Sequence, residues 1–218
     1  MSVFYVIRLV RALALASVML LGSQFAAAVP AAQFQAAFDE FVLARVGSSA
    51  AIERAAVTFA SLQQVEPANP VVMAYAGATT AMLANTTWLP WKKLRHAEDG
   101  LALLDKSLAM LTPAHNAPLQ HELPAALEVR YVAASTFLAV PGFMNRAARG
   151  ARLLQEVADS PLLASSPLSF RVDVWMAAAH QATADKRLDE ARRYLNEVVK
   201  ASGPQLDAAR AQLKAMPS

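Results

Sequence analysis

The chain has 218 residues and no cysteine, so disulfide staples and thiolate metal sites are excluded and stability has to come from a packed core. Its formal net charge is +3, and two of the positive residues, Arg8 and Arg11, lie in the first 28 positions. Without them the charge falls to +1, which excludes a nucleic-acid binder on electrostatic grounds.

Met1 to Ala28 has the layout of a secretory signal. A positive start is followed by the apolar run Ala12–Leu21, then Gly22, Ser23 and Gln24, then Ala26-Ala27-Ala28, a small-x-small site for a signal peptidase. The run is short for a bilayer span, which takes about 20 apolar residues. The expectation is an exported, periplasmic protein with a signal peptide over 1–28 and one helical-repeat domain over 29–218. The alternative is an uncleaved N-terminus anchoring the chain in the inner membrane.

After the leader, prolines cluster at 67–70, 113–124 and 161–167. The stretches between them are rich in Ala, Leu, Arg, Glu and Gln, which lose little rotamer freedom in a helix. No segment alternates with period two, so the chain reads as all-α. Helices are expected at 33–46, 51–64, 69–84, 94–111, 122–139, 146–159, 168–183 and 187–201. A capping helix at 204–215 follows Ser202-Gly203-Pro204.

A three-point pattern recurs in every second helix: a small residue, then larger positions four and seven later on the same face. It is carried by Ala55, Phe59 and Leu62; by Gly100, Leu104 and Ser107; by Gly150, Leu154 and Val157; and by Ala191, Leu195 and Val198. The first helices supply partners at fixed offsets. Leu43 precedes Ala55 by 12 residues, Ala179 precedes Ala191 by 12, and Gly77 follows Ala55 by 22. In the last unit Trp175, Ala178-Ala179, Ala182 and Ala191 stand at the tetratricopeptide (TPR) spacing, and Pro67 takes the closing-proline position of the first. From about residue 33 to 201 the chain resembles that family. The resemblance implies a right-handed α-solenoid of about four TPR-like helical hairpins plus a C-terminal capping helix, acting as a protein-binding scaffold. Departures are plain: unit one has Asp39 and unit two Met73 where the family has Trp, and the aromatic at the first helix's eleventh position is missing throughout.

Two insertions fall at equivalent places, between the helices of units two and three, the latter aligned on Ala133. They should emerge as neighbours on one edge. One carries Trp88, Trp91, Lys92, Lys93 and Arg95; the other carries Phe143, Met144, Arg146 and Arg149. As a ridge, these residues would bind an acidic-apolar protein segment or phospholipid headgroups; as a plug, the aromatics would close the edge of the stack. The concave groove is the family's usual binding surface. Counting its positions gives Val71, Ala74, Ala78, Ala81 and Met82 in unit two, and Leu127, Arg130, Ala134, Phe137 and Leu138 in unit three. Arg130, Glu40, Asp173 and His180 are the expected polar groove residues.

Enzyme signatures are absent. His121-Glu122 lacks a second histidine four residues on, and no phosphate-binding loop or nucleophile elbow occurs. His115 and His121 lie in a linker, where solvent exposure is expected. The reading is a non-enzymatic scaffold with no metal or cofactor and a protein or peptide partner, membrane-surface contact being the alternative.

Overall fold

The computed structural model describes residues 28–217, so the expected leader lies outside it except for Ala28. The described residues form nine α-helices and no strand: α1 (Ala31–Arg45), α2 (Ser49–Val65), α3 (Pro70–Met82), α4 (Pro90–Ala109), α5 (Ala125–Ala139), α6 (Ala147–Ala158), α7 (Leu168–Ala184), α8 (Leu188–Ala201) and α9 (Leu206–Ala215). None of them is long and apolar enough to cross a membrane.

Local chemistry sets where the helices begin. The Ser48 hydroxyl accepts the Ala51 amide at 3.3 Å to open α2, and Gly47, at φ +94°, turns the chain just before it. Asn69 Oδ1 accepts the Val71 and Val72 amides at 3.0 and 3.2 Å, with Pro70 at the first helical position. Helix α4 starts at Pro90 rather than near residue 94, for the same reason: proline lacks an amide that the first turn would leave unpaired anyway. Much of the first insertion is therefore helix.

Consecutive helices pack as pairs: α1 with α2, α3 with α4, α5 with α6, α7 with α8, and α9 on α8. Each pair also meets the next, through α2–α3, α4–α5 and α6–α7, and the first helices α3 and α5 touch directly. One apolar core runs the length of the array, from Val29 and Phe34 through Phe59, Leu104 and Phe137 to Leu195 and Ala209. All twelve members of the recurrent second-helix pattern are buried. Ser107, the polar one, donates its hydroxyl to the Leu104 carbonyl at 2.9 Å and so satisfies itself within its own helix.

The small members sit where paired helices cross. A methyl group built on Gly100 would lie 2.5 Å from the Ala81 amide nitrogen and 2.5 Å from the Gly77 carbonyl oxygen; one built on Gly77 would lie 2.8 Å from the Gly100 carbonyl oxygen. Backbone meets backbone there, with no side chain between. In the next pair a methyl on Gly150 would meet Leu138 Cγ at 2.9 Å and the Ala134 carbonyl oxygen at 3.1 Å. Gly150 thus sees Ala134 and Leu138 as Gly100 sees Gly77 and Ala81. The counterpart of Gly77 is Ala134, not Ala133, and the expected alignment of the third unit slips by one residue. One residue is about 100° of helix, enough to turn its assigned groove positions into the core.

Gly100→Ala is expected to cost about 1–3 kcal/mol, because backbone atoms on both sides must move. Gly142→Ala, where nothing lies within 4 Å, is expected to leave stability unchanged or slightly raised. Urea unfolding of the two variants checks the contrast; equal stability would remove the close crossing as a stabilising feature.

Candidate functional site

The two insertions behave differently. After the short 3-10 turn Leu83–Asn85, Trp88 stands 82% exposed and Trp91 65%, with Leu94 and Phe143 also turned outward. These side chains do not plug the edge. Lys92, Lys93 and Arg95 are exposed on the first turns of α4 and form no ion pair among the described residues. They sit at the positive end of the helix dipole, and no acid lies in that turn to offset them. The second insertion is partly compensated and tied down. Arg146 Nη2 is 3.0 Å from Asp105 Oδ2, Arg149 bonds the other oxygen of the same carboxylate, and both guanidinium groups lie over the Phe137 ring at 5.4 and 5.2 Å. Met144 packs on the core. Of the nine expected ridge residues, Met144, Arg146 and Arg149 serve the fold, while Trp88, Trp91, Lys92, Lys93, Arg95 and Phe143 remain presented to solvent.

A cavity of about 350 Å³ opens along the first helices of all four pairs. Helix α1 contributes Phe38, Phe41 and Arg45; α3 contributes Tyr75 and Met82; α5 contributes Glu128, Tyr131, Val132, Ser135 and Thr136; α7 contributes Phe170 and Asp173. Both insertions reach its rim, one through Ala84 and Asn85 and the other through Val140 and Pro141. The wall is mostly apolar with a few polar groups, the usual character of a ligand site.

Glu128 is the one charged residue that is fully buried among those described, at 1% exposure. It lies in the first turn of α5, where the helix dipole favours a carboxylate. The Tyr75 hydroxyl donates to Oε1 at 2.8 Å, and His121 Nδ1 lies 2.5 Å from the same oxygen. Oε2 has no partner. Burial holds the Tyr75 phenol well above its usual range, and the adjacent Glu128 charge pushes it the same way. Tyr131, also on the wall, is raised by burial first and by the Asp173 charge second. His121 is not a solvated linker residue: its ring packs edge-on against Phe34 and Phe38, with centroids at 4.8 and 4.5 Å, and its Nε2 is buried without a partner. The loop carrying it is closed by the Ala125 amide donating to the Ala117 carbonyl at 3.1 Å.

Of the four polar groove residues expected from sequence, only Asp173 lines the cavity. Glu40 pairs with Arg54 between α1 and α2 at 2.8 Å, and the hydrogen bond from Arg54 lowers its carboxyl pKa. Arg130 donates to the Ala126 carbonyl at 3.1 Å and reaches Glu156 at 3.6 Å; His180 is exposed elsewhere. The unit-three positions follow the one-residue slip. Leu127, Ala134 and Phe137 are buried in the core, and Glu128, Tyr131 and Ser135 face the cavity instead. In unit two Ala81 and Met82 line it, while Val71, Ala74 and Ala78 are core. Arg45, Tyr75, His121 and Glu128 were not picked out by the sequence. The available signal was a lone carboxylate, Glu128, between Leu127 and Val129 on an apolar helix. Among the described residues no cluster of His, Asp and Glu could hold a metal ion. No protein family, curated protein or solved structure matches the chain significantly.

Replacing Trp88 and Trp91 together by Ala is expected to change unfolding free energy by no more than about 0.5 kcal/mol, since neither ring is packed. A loss of several kcal/mol in urea unfolding would place the rings in the core. A second expectation concerns alkaline pH. Because the folded state holds the Tyr75 proton more tightly than the unfolded chain, its contribution is intact below the ordinary phenol range near pH 10 and is lost as pH rises through and beyond it. Tyr75→Phe should flatten the fall in stability above pH 10, measured by urea unfolding at stepped pH. An unchanged slope would rule out Tyr75 as its source.

Proposed function

We propose that this chain is an exported, TPR-like scaffold: a right-handed solenoid of about four helical hairpins with α9 as cap, binding a protein partner rather than catalysing a reaction. One observation carries the reading, namely the cavity along the first helices of all four pairs, apolar in its walls and polar at a few points. The close crossings at Gly77–Gly100 and Ala134–Gly150 support a repeated hairpin, because in each a second-helix glycine meets two first-helix residues spaced four apart. The partner is read as an extended or helical segment that places one or two side chains in the cavity and lies along α1, α3, α5 and α7.

Ser135 is exposed on the cavity wall, so Ser135→Trp fills the trough without disturbing the core. Crosslinking of the full chain in a cell-envelope extract should yield a defined partner that is lost with Ser135→Trp and retained with the Trp88/Trp91 double variant. Retention of the partner by Ser135→Trp would move the docking surface away from the cavity.

A second reading, contact with a membrane surface, is favoured by the exposed Trp88 and Trp91 beside three uncompensated cations. Indole rings settle at the headgroup level, and basic clusters are drawn to anionic lipid at roughly 1 kcal/mol per cation. On this reading the full chain should bind phosphatidylserine vesicles more weakly as salt rises, and Lys92, Lys93 and Arg95 all replaced by Glu should abolish that salt-dependent part. Vesicle binding insensitive to those charges would dismiss it.

A further inference from the structure

We propose that the cavity binds a free apolar α-amino acid, its carboxylate held by Arg45, its ammonium by Asp173 and its side chain by the apolar wall. The inference goes beyond the scaffold reading, since it gives the cavity a small-molecule ligand of its own.

The accessible charges on the wall point to it. Arg45, in the last turn of α1, and Asp173, on α7, both line the cavity. Among the described residues neither takes part in an ion pair, with the other or with any third group. Both have surface to offer a ligand: Arg45 is exposed and Asp173 half-buried, whereas Glu128 is shut away and already held by Tyr75 and His121. The one hydrogen bond that the Asp173 carboxylate accepts among the described residues runs from Gln205 Nε2 to Oδ1 at 2.8 Å, which leaves Oδ2 open. Arg45 carries the planar fork of donors that fits a carboxylate. The two charges share one corner of the cavity. The Tyr131 hydroxyl of α5 lies 3.4 Å from the Asp173 carbonyl oxygen, and its phenol is raised by burial and by the Asp173 charge while Arg45 acts on it in the opposite direction.

Opposite charges left unpaired beside one apolar cavity set its selectivity. A simple fatty acid would meet Arg45 and face Asp173; a simple amine would meet Asp173 and face Arg45. An α-amino acid carries both charges on one carbon and answers both groups at once. Phe38, Phe41, Met82, Val132 and Phe170 then offer apolar surface for its side chain. At about 350 Å³ the cavity lies at the small end of ligand sites, a size for a metabolite rather than a long chain.

The test uses the full chain and three probes built on one phenyl ring: L-phenylalanine, phenethylamine, which lacks the carboxylate, and 3-phenylpropanoate, which lacks the ammonium. Calorimetric titration should show phenylalanine binding about tenfold more tightly than either. That is the low end for hydrogen bonds to charged groups, because both protein groups are partly in solvent. Arg45→Gln should bring phenylalanine down to about the level of phenethylamine without weakening phenethylamine itself. Asp173→Asn, which keeps the oxygen that accepts from Gln205, should bring phenylalanine down to about the level of 3-phenylpropanoate. Equal binding of the three probes by the native chain would overturn the proposal, as would tightest binding of 3-phenylpropanoate or a phenylalanine preference that survives either substitution. Should a variant not fold, the three-probe series on the native chain still decides. Partner capture lost in Ser135→Trp without any selection among the probes would leave the scaffold reading standing and remove this one. Selection of phenylalanine with no captured partner would keep this inference and remove the scaffold reading.

Discussion

The architecture depends on how closely paired helices approach where a side chain is missing. At Gly77 and Gly100 the two backbones meet with no room for a single methyl group on either, and at Gly150 the space is barely larger. Such an approach draws the neighbouring large residues, Leu104 and Leu154 among them, into full burial, since they fill the ground beside the crossing rather than the crossing itself. Conformational entropy makes glycine a poor helix residue in isolation. Here that local cost is offset by packing across the whole length of α3 and α4, the most closely engaged pair in the molecule. The crossing also fixes rotation about each helix axis, and rotation decides which residues face the core and which face the cavity.

That dependence explains both what was legible in the sequence and what was not. Helix number and order, the pairing of neighbours and the burial of Phe59, Leu104, Val157 and Leu195 follow from apolar periodicity and small-residue spacing, which need only local sequence. The cavity needs the rotation of α5, and the choice between Ala133 and Ala134 as the crossing residue cannot be made from a run reading Val-Ala-Ala-Ser. The wrong choice turned Leu127 and Phe137 toward the groove and hid Glu128 and Tyr131. His121 was obscured for a different reason. It lies in a segment with no periodicity, and its environment comes from Glu128 on the following helix and from Phe34 and Phe38 of α1, more than eighty residues earlier. Arg146 and Arg149 read as a basic rim because Asp105, the carboxylate they share, lies on α4 with some forty residues between.

Two places break local rules without an evident gain in stability. Glu128 is a charged side chain in an otherwise apolar interior, held by a tyrosine and a histidine yet left with one oxygen unpaired. Replacing such a group by a packed apolar residue is often neutral or stabilising, so its presence is weak evidence for a structural role. At the start of α4, lysines follow Trp91 in the turn where a helix prefers acids, and the tryptophans beside them are left in solvent. Sequences are locally consistent over most of a fold, and exceptions concentrate where a site has to be presented.

These two exceptions are connected. The chain leaves the cavity rim at Asn85, passes through Trp88, Trp91 and the three cations, and returns to the cavity wall at Ala97. The exposed excursion is therefore anchored at both ends by residues that line the cavity. The sign of charge reverses along that path, from a buried carboxylate inside, past Arg45 at the rim, to Lys92, Lys93 and Arg95 outside. A segment lying in the proposed groove and along this excursion would meet charges of both signs, so its fit would depend on how its own charges are arranged rather than on its net charge.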